Sequence, residues 1–166
     1  MHLDEGKQKF IQAWGKYGSS WGINRTMAQI HALLLVSDKA LSTDDLMEQL
    51  GISRGNANMN VRALMQWGLV HKEFISGERK EFFAAEKDAW LMAKNILEQR
   101  RKREIAPMLA LLDDLKEVEG DDHSAEDFKE KMKELHKLTS RTNKALARLG
   151  KYGDSKIVNT ISKMLK

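Results

Sequence analysis

A short segment near the middle of the chain carries side chains suited to hydrogen bonding with nucleic acid. From Ser53 to Arg62 the sequence reads SRGNANMNVR, and no acidic residue occurs between Ser53 and Lys72. Arginine can donate two hydrogen bonds to guanine, and asparagine can make two with adenine. Three asparagines within five residues are poor helix formers. Because a merely solvated helix face would more often carry Glu and Lys, this composition favours contact with nucleic acid.

Two capped helices joined by a tight turn are predicted to position these side chains. Ser42 and Asp45 have the spacing of a capping box for a helix from Thr43 to Leu50, which Gly51 ends. Ser53 then caps a helix that runs from Arg54 to Trp67. The second helix has an apolar back and a polar front, the front being formed by Arg54, Gly55, Asn58, Met59 and Arg62. This is the helix-turn-helix pattern, whose second helix can enter a major groove.

A hairpin follows the second helix. After Gly68 the apolar period changes to two, which predicts strands over Leu69–Ile75 and Lys80–Ala85, with a turn at Ser76–Arg79. Arg79 and Lys80 lie at the tip of this wing, where they are suited to the DNA backbone or the minor groove.

The rest of the chain is predicted to be helical. The expected helices are Asp4–Tyr17, Arg25–Val36, a helix after Asp88, Pro107–Val118, Ser124–Leu149 and a short last one carrying Ile157 to Leu165. Gly15 and Gly18 are expected to weaken the end of the first, Pro107 to break or restart the helix near Ile105, and Gly150–Gly153 to end the long one. We predict a mainly α fold: a winged helix-turn-helix with a two-stranded wing, flanked by long N- and C-terminal dimerisation helices. The expected regions are 1–40, 41–87 and 88–166.

The composition excludes several classes of site. The chain has 166 residues, no cysteine and a net charge of +4, so disulfides, thiolate metal sites and cysteine nucleophiles are excluded. The polar N-terminal segment has no signal-peptide pattern, and the longest apolar run, Ala32–Val36, is too short to span a membrane. We expect a soluble, cytoplasmic protein with no membrane partner.

Catalytic and metal-binding patterns are missing from the sequence. It has no Ser-His-Asp order, no GxxxxGK phosphate loop and no matched metal-ligand spacing, so we expect no enzyme activity, no cofactor and no metal site. The acidic residues around His123 are interpreted as a helix cap. His31 lies between apolar turns and is expected to be hydrogen-bonded in the core or at a dimer interface, with a sensor role as the alternative.

Residues Trp21 to Glu86 resemble the MarR-type winged-helix regulators, and more narrowly their GbsR branch, which represses glycine-betaine synthesis and uptake. The matching stretches are Gly22–Ile30, Leu41–Leu46, Ile52–Ala57 and Gly77–Lys80. The resemblance implies a symmetric dimer, built from the terminal helices, that binds a pseudo-palindromic operator. It places the recognition positions on Ser53, Arg54, Asn56, Asn58 and Arg62, and the wing contacts on Arg79 and Lys80.

The same branch includes sensors that hold choline in an aromatic cage by cation–π attraction. The cage motif is not matched residue by residue, and the candidate effector-binding residues are Trp14, Tyr17 and Trp21. Aromatic side chains at a junction between helices are more often part of the core.

The prediction is therefore a sequence-specific regulator of transcription, a repressor, that binds double-stranded DNA as a homodimer and responds to a small-molecule effector such as choline. Two alternatives stay open: a winged-helix module that binds a protein, and a sequence-blind architectural DNA binder. The modest net charge counts against the second, because such a binder depends on neutralising phosphates.

Overall fold

The computed structural model describes residues 1–20, 22–120 and 122–152. The predicted last helix from Ile157 onwards lies outside these residues, as does the candidate effector residue Trp21. The elements are, in order, α1 (Leu3–Ser20), α2 (Arg25–Val36), β1 (Leu41–Ser42), α3 (Thr43–Leu50), α4 (Arg54–Gln66), β2 (Val70–Glu73), β3 (Phe82–Ala85), α5 (Ala89–Arg100), a π-helical segment (Arg101–Ile105), α6 (Ala106–Leu115) and α7 (His123–Tyr152). The mainly α winged helix-turn-helix is thereby confirmed.

The chain divides into two compact units, Met1–Met92 and Ala93–Lys166. The first contains the buried core. Ile30, Leu34, Leu46, Val61 and Leu64 are almost fully buried in it. Helix α2 packs against α1 and α4, and β3 lies against α2. The side chain of Lys87 donates hydrogen bonds to three carbonyls at the end of α2, which it caps.

The sheet has three antiparallel strands in the order β1-β3-β2. The wing hairpin pairs Val70 with Ala85 and Glu73 with Phe82, which confirms the predicted strands with shorter ends. The short strand β1 was not predicted. It pairs Leu41 with Phe83, but two residues are too few to show an alternation of apolar and polar positions.

The prediction that Gly15 and Gly18 weaken the end of the first helix is wrong. Helix α1 continues through both glycines to Ser20, because they let α1 approach α2 closely. A Cβ on Gly15 would lie 2.6 Å from Cγ of Gln29, and one on Gly18 would lie 2.6 Å from Cβ of Ala28. These glycines are packing positions, which a local helix propensity does not reveal.

The second unit consists of helices that expose much apolar surface. Pro107 does not end the helical run. It lies in the first turn of α6, directly after the π-helical segment Arg101–Ile105 through which the run continues. Helix α7 also continues through Gly150 to Tyr152, so the predicted break there is wrong at its start. Leu112 is the buried hydrophobic side chain of this unit among the residues described.

Candidate DNA interface

Side-chain caps fix the start of each helix in the helix-turn-helix. Oγ of Ser42 accepts a hydrogen bond from N of Asp45, and Oδ2 of Asp45 accepts one from N of Ser42 at 2.7 Å. This is the predicted capping box. Gly51 ends α3 with a φ of 64°, a left-handed conformation that disfavours other residues. Ser53 then caps α4 by accepting a hydrogen bond from N of Asn56 at 3.3 Å.

Helix α4 has the two faces that reading DNA requires. Its inner face buries Ala57, Val61 and Leu64. Its outer face exposes Arg54, Met59 and Arg62, with Met59 61% exposed. The structure therefore brings the predicted positions Ser53, Arg54 and Arg62 to the solvent side of one helix. Asn58 is half-buried beside them, and its Oδ1 accepts a hydrogen bond from Oγ1 of Thr43 on α3 at 3.1 Å.

The asparagines of α4 do not all lie on the outer face. Asn60 is buried, and its Nδ2 donates to the backbone O of Asn56 at 2.8 Å and to Oδ1 of Asn56 at 2.6 Å. Asn60 is thus a satisfied core residue, in keeping with the general rule for buried amides. The half-buried side chain of Asn56 serves partly to hold Asn60. A composition-based argument cannot separate an inward amide from an outward one on the same helix.

The wing is exposed from His71 to Lys80, which places the predicted contacts Arg79 and Lys80 at the surface. Phe74 is 96% exposed just after β2, whereas the sequence pattern had placed it inside the strand. The wing also carries acids: the Lys72 ammonium pairs with the Glu81 carboxylate across the hairpin. At the wing tip, Arg79 and Lys80 follow the acidic Glu78.

Asp44, in the first turn of α3, joins the two predicted DNA-contacting elements. Its Oδ1 accepts a hydrogen bond from Nη2 of Arg54 at 2.5 Å, and its Oδ2 accepts one from Nζ of Lys80 at 2.9 Å. The hydrogen bond from Lys80, followed by that from Arg54, lowers the pKa of the Asp44 carboxyl. Asp44 in turn raises the pKa of Lys80. No local pattern signals this cluster, because its members lie far apart in the sequence.

The candidate effector residues that the structure describes lie on α1. Trp14 is half-buried between Phe10, at 5.3 Å between ring centroids, and His31, at 6.2 Å. Tyr17 is 62% exposed. Trp14 thus belongs to the junction of α1 with α2, while Tyr17 offers its ring to solvent.

His31 is buried, as predicted, but its Nε2 has no hydrogen-bond partner in the part of the chain that the structure describes. Burial, with a smaller contribution from the charge of Lys87, lowers the pKa of His31 from 6.5 to about 4. The neutral ring is therefore the form that packs against Trp14 at neutral pH.

Within residues 1–20, 22–120 and 122–152, no three His, Asp or Glu side chains lie close enough together to hold a metal ion. None of the helices in that part of the chain combines the length and apolar character that a membrane crossing requires.

Comparison with known proteins supports the same fold. Residues 21–80 match the MarR family. The HTH-type transcriptional repressor GbsR of Bacillus subtilis (strain 168) is 23% identical over 138 residues, which are 81% of this chain and 76% of that protein. The HTH-type transcriptional regulator MmpR5 of Mycobacterium tuberculosis (strain ATCC 25618 / H37Rv) is 27% identical over 106 residues, 63% of this chain and 62% of that protein.

A solved structure described as a crystal structure of a transcriptional regulator has the same fold. It superposes with a TM-score of 0.69 at 18% identity and covers 91% of this chain and 99% of its own. The resemblance to MarR-type regulators, GbsR among them, is thereby confirmed.

Proposed function

We propose that this chain, whose residues 21–80 match the MarR family, represses transcription by binding a pseudo-palindromic operator as a homodimer in the cytoplasm. One observation carries the proposal: α4 is capped at Ser53, buried along one face, and presents Arg54 and Arg62 on the other with no acid of its own. A helix with this design fits a major groove, where arginine recognises guanine.

The two predicted contact elements have different tasks. Arg54, Asn58 and Arg62 face the base edges, where hydrogen bonds specify the sequence. Ser53 and the positive end of α4 receive a phosphate, and the backbone N–H of Asn56 holds the Ser53 side chain at the start of the helix. Arg79 and Lys80 at the wing tip contact the backbone or the minor groove and contribute affinity with little sequence dependence.

The exposed apolar side chains of the second unit support the dimer. Leu111 is 52%, Leu135 41% and Leu138 64% exposed. Exposed large apolar side chains on the packed helices α6 and α7 favour an interaction site there. A second copy of the chain covers it, and the two copies of α4 then reach half-sites that lie about one helical turn, ~34 Å, apart.

The base-reading assignment is tested by alanine substitution. Arg54→Ala and Asn58→Ala each lower operator affinity by roughly 1–3 kcal/mol and leave random-duplex affinity much less changed. Arg79→Ala is the comparison variant, because the loss of a phosphate contact weakens both duplexes alike and flattens the salt dependence. Fluorescence anisotropy measures both affinities, and unchanged discrimination in Arg54→Ala and Asn58→Ala would contradict the assignment.

The proposed effector is a quaternary ammonium compound of the choline class, which an exposed aromatic ring attracts by cation–π interaction. Of the candidate effector residues that the structure describes, Tyr17 is the exposed one, and Trp14 on the same helix supplies a fluorescence signal. Titration with choline then changes tryptophan emission and operator affinity together, and Tyr17→Ala removes both changes. Sodium chloride at equal ionic strength is the control. An operator affinity that choline leaves constant contradicts this effector.

A further inference from the structure

The carboxylate of Asp44 lies between two cations that belong to different DNA-contacting elements. Arg54 opens α4, whereas Lys80 closes the wing turn, and both hydrogen-bond to the same carboxyl group. All three side chains stay partly exposed, with Asp44 at 42%, Arg54 at 62% and Lys80 at 60%. The cluster therefore lies on the same surface as the predicted DNA contacts and not in the core.

This arrangement leaves the cations able to bind DNA. A guanidinium has five N–H donors and an ammonium has three, so one bond to Asp44 leaves the others available. The bond to Asp44 fixes the planar guanidinium of Arg54 before DNA binds. The side chain therefore loses less rotamer entropy when it makes two hydrogen bonds with guanine. The same bond ties the wing tip to the start of α4, because Lys80 shares the carboxylate.

The negative charge also acts against unspecific binding. A carboxylate close to the phosphate backbone is repelled by every duplex, whatever its sequence. Only a duplex that offers a guanine to the positioned Arg54 side chain regains the binding free energy lost to this repulsion. One side chain thereby favours the operator and disfavours random DNA.

We propose that Asp44 is a positioning residue that determines specificity. By bonding to both Arg54 and Lys80 it fixes the start of the recognition helix α4 relative to the wing tip, and it thereby raises the ratio of operator affinity to random-duplex affinity. The proposal rests on the DNA-binding function proposed above. It assigns Asp44 no contact with DNA.

Asp44→Asn is the direct test, with Glu48→Gln as its matched control. Both remove one negative charge from an exposed or half-exposed position of α3, but Glu48 lies outside the cluster. The fold tolerates the first change because the capping box of α3 uses Ser42 and Asp45. Asp44→Ser is a second variant, since serine is also well accepted in the first turn of a helix and removes the carboxylate without an amide.

The operator duplex is selected from a random library with the wild-type protein, and affinities for it and for a random duplex are measured over a range of salt. Asp44→Asn and Asp44→Ser lower the affinity ratio roughly tenfold, through loss of the held guanine contact. They also steepen the salt slope for random DNA by about one, because the Arg54 side chain, no longer held by Asp44, reaches a phosphate. Glu48→Gln changes neither quantity.

The outcomes separate the two proposals. If the wild-type protein prefers its operator but Asp44→Asn and Asp44→Ser keep the ratio of Glu48→Gln within about twofold, the role of Asp44 is overturned and the DNA-binding function stands. If the library yields no preferred sequence with the wild-type protein, the specific function and the role of Asp44 fall together.

Discussion

The two units of the chain place their large apolar side chains differently. In Met1–Met92 the leucines, isoleucines and valines of α2, α3 and α4 form a closed core, with Ile30 and Leu46 at 0% exposure. Among the described residues of the second unit, Leu112 is buried while Leu111 and Leu138 remain more than half exposed. The first unit therefore has a buried core of its own, although Phe74 stays exposed at the wing, whereas the described part of the second unit buries little apolar surface. We therefore expect the buried leucines of the first unit to determine the free energy of unfolding, and the exposed leucines of the second unit to determine assembly.

The largest expected effect is on the closed core. Leu64 is 1% exposed on the inner face of α4. Leu64→Ala removes buried methyl groups and leaves a cavity, so we expect the free energy of unfolding to fall by about 2–5 kcal/mol. Urea denaturation followed by circular dichroism measures it. A loss below about 1 kcal/mol would break the comparison, because it would mean that this core is not closely packed.

The free energy of unfolding of the same core is expected to depend on pH through the buried His31 side chain. His31 has a folded pKa of about 4, against 6.5 in the unfolded chain. The unfolded state therefore binds more protons between these values, so stability is fully present above about pH 6.5 and is lost as the pH falls towards 4. The difference of pKa corresponds to about 3 kcal/mol as an upper order of magnitude.

His31→Leu isolates this contribution, because leucine fills similar space and the Nε2 atom it replaces has no partner among the described residues. Urea titrations of both proteins are compared at pH 7 and pH 4.5. The wild-type protein loses more stability than the variant over that interval. Equal losses would show that His31 is not held neutral by burial.

A smaller effect is expected on the open helices, and it concerns assembly. Leu138→Ala removes an apolar group that burial at a dimer interface stabilises by roughly 1.5–3 kcal/mol. The dimer dissociation constant therefore rises about tenfold or more. Sedimentation equilibrium measures it, with the truncation of the neighbouring exposed residue, Lys137→Ala, as control. The difference drawn between the two units would be wrong if the wild-type protein is a monomer, or if Leu138→Ala leaves the dimer dissociation constant unchanged.

The helix-turn-helix could be predicted because its signals are local. The caps Ser42 and Ser53, the left-handed Gly51 and the change of period after Gly68 each lie within a few residues of what they determine. The strands of the wing follow for the same reason. The polar front of α4 was also predictable, because its residues recur at helical spacing on a single element.

The missed features depend on distant partners. Gly15 and Gly18 allow α1 to approach α2 closely. Helix propensity describes a single residue in its own helix and does not include the packing of a neighbouring helix. Asp44 bonds to residues ten and thirty-six positions away. Asn60 is buried, whereas Asn58 on the same helix is only half-buried and Met59 is exposed. In each case the tertiary contact, and not the residue type, decides the role.

The central claim is sequence-specific binding of double-stranded DNA. The most direct measurement is fluorescence anisotropy of the pure protein with labelled DNA from the region upstream of its own coding sequence, at physiological salt and with excess random competitor duplex. The account predicts binding that survives the competitor, since base contacts supply an advantage of roughly 10³ or more over random DNA. Binding that the competitor abolishes would indicate a sequence-blind binder, and no binding at all would indicate a protein-interaction module. Either result would contradict the account.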